Sequence, residues 1–249
     1  RAFARSGQSS GLLWPPFHHD MGLIGGVIAP IYTDNITTLL PPVDFLQQPS
    51  RWLRALSDER ITISGGPNFA YELCLDKITP EQCIGLDLSS WEVAFCGAEP
   101  VRAHTLERFA AKFAPYGFRP QAFTPCLGMA ESTLMTTCTP QAQTPVVITC
   151  DTVALAQHRV ELLATSPTNR QAAQRLVSSG RGWLDQTVRI VHPEQRTACA
   201  PGEVGEIWIA GPSVTNPLPS SSVSVPGRRM TQSRVDVASA MSARFFSAM

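Results

Sequence analysis

Three short strings in this chain hold residues able to do chemistry, and each is built differently. In Phe17-His18-His19-Asp20-Met21-Gly22 two imidazoles stand beside a carboxylate. A carboxylate can hold an imidazole in one tautomer for acid–base work, although side chains adjacent in sequence usually diverge. In Thr124-Pro125-Cys126-Leu127-Gly128-Met129-Ala130-Glu131-Ser132-Thr133 a single acid, Glu131, sits among small and apolar residues. Mg²⁺ takes few protein carboxylates and fills its other positions with phosphate oxygens and water, so one acid suits it. A helix-terminal charge is the plainer role for the same residue. In Cys96-Gly97-Ala98-Glu99-Pro100 the glycine permits either an ordinary tight turn or close approach of backbone to a planar ligand. A fourth string, Gly7-Gln8-Ser9-Ser10-Gly11, has the G-x-S-x-G spacing of a hydrolase nucleophile elbow. That elbow must follow a buried strand, and Arg1 to Ser6 is too short and polar to be one.

The elements around these strings alternate in type. Trp52, Leu53 and Leu56 share one face of a helix opened by Pro49 and ended near Asp58. Ile61 to Ser64 reads as a short β-branched strand closed by Gly65-Gly66. Asn68 to Lys77 carries Phe69, Leu73 and Cys74 at helical spacing. Trp91, Val93 and Phe95 alternate with Glu92 and Ala94 as a strand with one buried face. Pro100 is placed to open the next helix, whose core stripe is Leu106, Phe109, Ala110 and Phe113, stopped by Pro115 and Gly117. This alternation predicts an α/β fold with a mixed, largely parallel sheet flanked by helices. Ligands of such sheets bind in the loops beyond the strand C-terminal ends, where residues 96–100 and 124–132 fall. Thr187 to Val191 and Val204 to Ile209, joined by a turn-rich segment with Pro193 and Pro201-Gly202, read as a small antiparallel β region. The expected organisation is an α/β core over residues 12–135, a polar, insertion-like region over 136–179, the antiparallel part over 180–215, and a disordered tail over 216–249, where eight of 34 residues are serine.

Composition removes several function classes. Twenty acidic and twenty basic side chains cancel, so no global field attracts nucleic acid or an anionic membrane. No apolar run reaches the roughly 20 residues needed to span a bilayer. The seven cysteines are odd in number, scattered and free of C-x-x-C pairs, which suits reduced thiols in the cytoplasm rather than a disulfide framework or zinc site. The only lysines are Lys77 and Lys112, neither behind a glycine-rich loop, so a Walker-type phosphate loop is excluded.

Six strings, in order, resemble one family. Pro15-Pro16-Phe17-His18-His19-Asp20-Met21-Gly22-Leu23-Ile24-Gly25-Gly26 is similar to the PP-F/Y-HDMGLIGG signature of fatty acyl-AMP ligases, within the adenylate-forming, acyl-CoA synthetase-like superfamily. Pro42 to Gln47, Ile63 to Tyr71, Leu86 to Trp91, Gly97 to Arg102 and Gly128 to Glu131 resemble the same family. The resemblance covers about Leu12 to Thr215. It implies a two-step reaction: a fatty acid carboxylate attacks the α-phosphate of Mg²⁺-bound ATP, releasing pyrophosphate, and the acyl group then passes to an acyl carrier protein, often feeding polyketide synthesis. By the same resemblance, Gly97, Ala98 and Glu99 line the adenine pocket, while Leu127, Gly128, Met129 and Ala130 hold the nucleotide. Glu131 serves Mg²⁺, and His19 sits near the reacting carboxylate. Ser64, Gly65, Gly66, Pro67, Phe69 and Tyr71 border the acyl tunnel.

The chain departs from the family pattern in several places. Two histidines precede Asp-Met-Gly where the family has one. Leu127 stands where the family has a tyrosine able to stack on adenine, and Cys96 stands where it has an asparagine. The family's Ser/Thr/Gly-rich phosphate loop, its ribose-binding aspartate and its lysine-bearing C-terminal domain have no counterpart here. The expectation is therefore a fragment of such a ligase, not competent alone. The alternatives are a vestigial inactive fragment and a non-catalytic acyl- or partner-binding module.

Overall fold

The computed structural model describes residues 9–164, 172–214, 222–225 and 228–233. The chain divides into two compact units. The first holds Arg1–Glu99, His104–Thr124 and Pro140–Thr144; the second holds Pro100–Ala103, Pro125–Thr139 and Pro145–Met249.

In the first unit four short strands run parallel: β1 (Ser10–Leu13), β2 (Ile36–Leu39), β3 (Ile63–Gly66) and β4 (Val93–Cys96). Parallel neighbours need crossovers, and the intervening segments supply them. After β1 the chain enters a wide helical stretch, Met21–Ile28, with i→i+5 bonding, then α1 (Ala29–Thr33). After β2 come α2 (Pro42–Gln47) and α3 (Ser50–Asp58), and after β3 comes α4 (Asn68–Lys77). After β4 comes α5 (Ala103–Phe113), which starts three residues beyond Pro100, so that proline precedes the helix instead of opening it. The helix stripe read from Leu106, Phe109 and Phe113 is buried. It joins Trp52, Tyr71, Trp91, Phe118 and Phe123 in an aromatic core whose rings meet mostly edge to face, for example Trp52 and Trp91 at 5.3 Å. Such pairs add about 0.5–1.5 kcal/mol each beyond area burial.

The second unit is antiparallel. β5 (Phe123–Gly128) opens in the first unit, pairs with β6 (Met135–Cys138), and β6 pairs with β9 (Arg181–Gly182). Strand order in this mixed sheet is β2-β1-β3-β4-β5-β6-β9. β7 (Val147–Asp151) and β8 (Ala173–Val177) form a separate hairpin inside the stretch expected to be polar and insertion-like. β10 (Thr187–Val191) and β11 (Glu206–Ala210) pair antiparallel, as their alternation predicts. Within the serine-rich tail, β12 (Ser222–Val225) and β13 (Arg228–Ser233) extend that sheet through β11. The other expectations for residues 216–249 lie outside the described residues.

All seven cysteines are free and buried. Among the described residues no helix is long and apolar enough to cross a membrane. Gly7 and Gln8 of the elbow spacing lie outside the described residues, but Ser9 leads directly into β1. A serine at the entrance of a strand is not at the strand-to-helix exit a nucleophile elbow requires, so the hydrolase reading ends here.

Candidate functional site

Just beyond β1, Trp14 is buried and Pro15-Pro16 turns the chain. The His19 N–H donates to the Pro16 carbonyl, and Gly22 and Leu23 both donate to the His19 carbonyl, each at 3.0 Å. A Cβ on Gly22 would lie 2.3 Å from the Pro16 oxygen and 2.5 Å from that of Pro15, so this turn closes only over a glycine. The turn sets His19 Nδ1 2.6 Å from Asp20 Oδ1. The Met21 N–H donates to both groups, to Asp20 Oδ1 at 2.8 Å and to His19 Nδ1 at 3.1 Å, and so holds carboxylate and ring together. Adjacent side chains thus converge here rather than diverge. Of the doubled histidines it is His19 whose ring meets Asp20, and both His18 and His19 are exposed. The wide helix begins at once, and i→i+5 stretches are frequent at functional sites.

At the ends of β3 and β4 the backbone is packed too closely for side chains. A Cβ on Gly65 would lie 2.1 Å from the Phe95 carbonyl oxygen, and one on Gly66 2.5 Å from Trp14 Cζ2. Ser64 is wholly buried; its Oγ donates to the Leu12 carbonyl at 2.6 Å and accepts from Trp52 Nε1 at 2.9 Å. Tyr71 is also wholly buried, with its hydroxyl donating to the Phe95 carbonyl at 2.7 Å. Phe69 differs: 43% of it is exposed. Gly97 follows β4 directly, and Ala98 takes the left-handed φ of 63°, a strained choice for a residue with a Cβ. Glu99 is exposed and its Oε1 accepts from the Phe69 N–H at 2.6 Å. The same unit thus ties the turn after β4 to the start of α4.

In the second unit the hairpin between β5 and β6 carries the other candidate residues. The pairing slips between Leu127 and Gly128. A Cβ on Gly128 would lie 2.3 Å from the Leu134 carbonyl oxygen, which accepts from the Met129 N–H at 2.9 Å. Ala130–Ser132 make one tight helical turn, and Thr133 closes it with φ 70°. Buried Ser132 shares a 2.7 Å bond with the Thr136 hydroxyl, while Glu131 is presented on the exposed side of the turn. Leu127 points inward, packing with Ile190, Cys199, Ile207 and Ile209, and Met129 covers the same cluster. Leu127 therefore offers this hairpin's surroundings its backbone and not its side chain. Among the described residues no three His, Cys, Asp or Glu side chains gather as a metal cage. The exposed carboxylate of Glu131 fits Mg²⁺ that arrives with phosphate oxygens, not one held by protein alone.

Asp20 and Trp14 are the residues that sequence reasoning undervalued. The sequence offered Asp20 as a partner able to orient an imidazole, but the usual divergence of adjacent side chains weighed against it. Trp14 has a wholly buried indole N–H with no hydrogen-bond partner among the described residues.

A profile of AMP-binding enzymes matches residues 2–217. The chain belongs to the AMP-binding enzyme family. Within that family it is 41% identical over 214 residues to a medium-chain-fatty-acid–[acyl-carrier-protein] ligase of Moorena producens, covering 86% of this chain and 36% of that protein. It is 39% identical over 206 residues to a 4-hydroxyphenylalkanoate adenylyltransferase of Mycobacterium marinum, covering 83% of this chain and 32% of the other. A solved structure of a fatty acid AMP ligase from Legionella pneumophila superposes with a TM-score of 0.83 at 34% identity, covering 94% of this chain and 44% of that one. A fatty acyl-adenylate ligase from L. pneumophila, in complex with acyl adenylate and pyrophosphate, gives a TM-score of 0.82 at 35% identity, over 94% of this chain and 45% of that one. The chain thus spans about a third of the length of its curated AMP-binding relatives. The mixed sheet and smaller antiparallel sheets are those of an adenylate-forming domain, as the family resemblance implies.

Proposed function

We propose that this chain contributes the acyl-adenylation site of a fatty acid ligase: a fatty acid carboxylate oxygen attacks the α-phosphorus of ATP, pyrophosphate leaves, and the acyl group passes to the thiol of an acyl carrier protein. The observation that carries this reading is the similarity, over 94% of the chain, to a ligase bound to acyl adenylate and pyrophosphate.

Phosphoryl transfer asks a protein mainly for positioning and for donors around developing charge. In this reading the rigid turn at Gly97, Ala98 and Glu99 lines the adenine, and the closed hairpin at Leu127, Gly128, Met129 and Ala130 supplies backbone groups to the nucleotide. Gly65, Gly66 and Pro67 border the acyl chain with backbone, and Phe69 does so with its exposed ring. Ser64 and Tyr71 lie beneath and brace that border through their buried hydrogen bonds. His19, held against Asp20, sits near the reacting carboxylate in this reading. Glu131 would hold Mg²⁺, which when bound neutralises phosphate charge.

One observation favours a second reading, an acyl-binding module without catalysis. Leu127 turns its side chain into the core, so nothing at that position stacks on the base. Base–aromatic stacking contributes about 1–3 kcal/mol where it occurs.

ATP–pyrophosphate exchange with decanoate separates the two. Exchange above background that falls about 10- to 100-fold in Glu131→Gln, the scale of losing a metal-supporting group, would show a chain competent by itself, and silence would support an inactive fragment. Decanoate binding without exchange would support the module instead.

A further inference from the structure

One bond in the first unit joins two strand-end turns and is left unused by the adenylation reading. Glu99 Oε1 accepts from the Phe69 N–H at 2.6 Å, across 30 residues of chain. Phe69 is the second residue of α4, where helix N–H groups lack intrahelical partners. Pro67, at the cap position, makes no side-chain cap bond, so the acceptor comes from the turn after β4 instead. A carboxylate there also faces the favourable end of the helix dipole. The turn that delivers it contains Ala98 at φ 63°, a conformation that persists only where the surroundings hold it. Displacing the 97–99 turn therefore pulls on the first turn of α4 and on the half-exposed Phe69 ring. Displacing Phe69 pulls on the turn in the same way.

We propose that Glu99 is a positioning residue, a latch that couples filling of the 97–99 turn to filling of the 65–69 turn. The inference rests on the reading that these turns serve nucleotide and acyl chain respectively. Coupling between two binding events is reciprocal, so each ligand strengthens the other by the same factor.

Calorimetric titration of the 249-residue chain with AMP and decanoate, singly and together, tests the latch. In the wild-type chain each ligand should raise the affinity for the other about fivefold, the lower end of typical coupling. Glu99→Ala should bring that factor to about one, and Glu99→Gln, whose amide oxygen still accepts from the Phe69 N–H, should restore at least half of the coupling. Hydrogen exchange should show faster loss of Phe69 amide protection in Glu99→Ala, with β3 and β4 unchanged. Coupling that survives in Glu99→Ala overturns the latch, as does a Glu99→Gln chain as uncoupled as the alanine variant. Complete loss of AMP binding in Glu99→Ala would reduce Glu99 to its place in the adenine lining and equally overturn the latch. A wild-type chain that binds neither probe sinks the adenylation reading along with this one; binding of both without coupling sinks the latch alone.

Discussion

Two tryptophans in the first core offer a measurement of what an unmet donor costs. Trp14 and Trp52 are both buried, at 4% and 0% exposure, and their rings approach each other at 6.2 Å. Trp52 donates its indole N–H to Ser64, whereas the indole N–H of Trp14 has no acceptor among the described residues. Replacing either by phenylalanine removes the same volume, so the difference between the two variants isolates the N–H. Trp52→Phe should cost about 1 kcal/mol more than Trp14→Phe in urea unfolding, because it discards a made bond while the other discards an unmade one. Equal losses would mean that Trp14 finds an acceptor in solution. At this scale the sequence named candidates more readily than it resolved their orientation. Leu127 shows the limit: its place in the string was plain, but only the fold turns its side chain into the Ile190–Ile207 cluster. His19 shows the opposite, since its contact with Asp20 depends on a turn that Gly22 allows and that no adjacency rule anticipates.

Among the elements, α4 was legible to the residue. Its bounds, Asn68 to Lys77, follow from proline before it and helical spacing within it. What the sequence did not announce is how that helix ends. Lys112, from α5, donates to the carbonyls of Leu75 and Ile78 at 2.7 Å each and of Cys74 at 3.3 Å. A cation on the last carbonyls satisfies acceptors the helix cannot and meets the negative end of its dipole. Lys112→Met keeps most of the stem and removes the charge, and should lower stability by about 1.5–3 kcal/mol, the range for bonds to charged groups. A chevron or urea series would read it; a loss below half the lower bound would show that water replaces the ammonium at little cost. The wide helix at Met21–Ile28 was missed for a different reason. Met-Gly-Leu-Ile-Gly-Gly-Val-Ile is apolar or glycine throughout, so no 3.6-residue period stands out. β5 was hidden by Pro125, which removes a backbone donor from the ladder and reads as a break; its carbonyl nevertheless accepts from the Thr139 N–H.

For the molecule entire, the alternation of strands and helices announced the parallel half, because crossovers leave long, periodic segments. The antiparallel half was only partly announced: β10 and β11 alternate clearly, while β7 and β8 lie in a stretch whose polar residues mask the pattern. The main sheet has a further consequence at one border. β2 stands first in strand order, with a neighbour on one side only among the described residues. Ile36 on it is 78% exposed, and Ile31 and Tyr32 of the preceding helix are 77% and 89% exposed. An open, apolar strand edge invites pairing with other chains. Sedimentation of the isolated chain should show association that grows with concentration, and Ile36→Lys, a charge of the kind that natural edges use, should suppress it. A monomer at every concentration would mean the edge is shielded.

The seven enclosed sulfurs turn this protein into its own set of stopwatches. Burial pushes the thiols of Cys74 and Cys138 well above the ordinary range, so almost no thiolate exists while their surroundings stay shut. A soluble alkylating reagent can then mark each site only in the moments when that neighbourhood breathes. Cys74 and Cys83 report on the parallel half, and Cys150 and Cys199 on the antiparallel one. Mass spectrometry over time would rank the local lifetimes of both halves from a single sample, with no label engineered in.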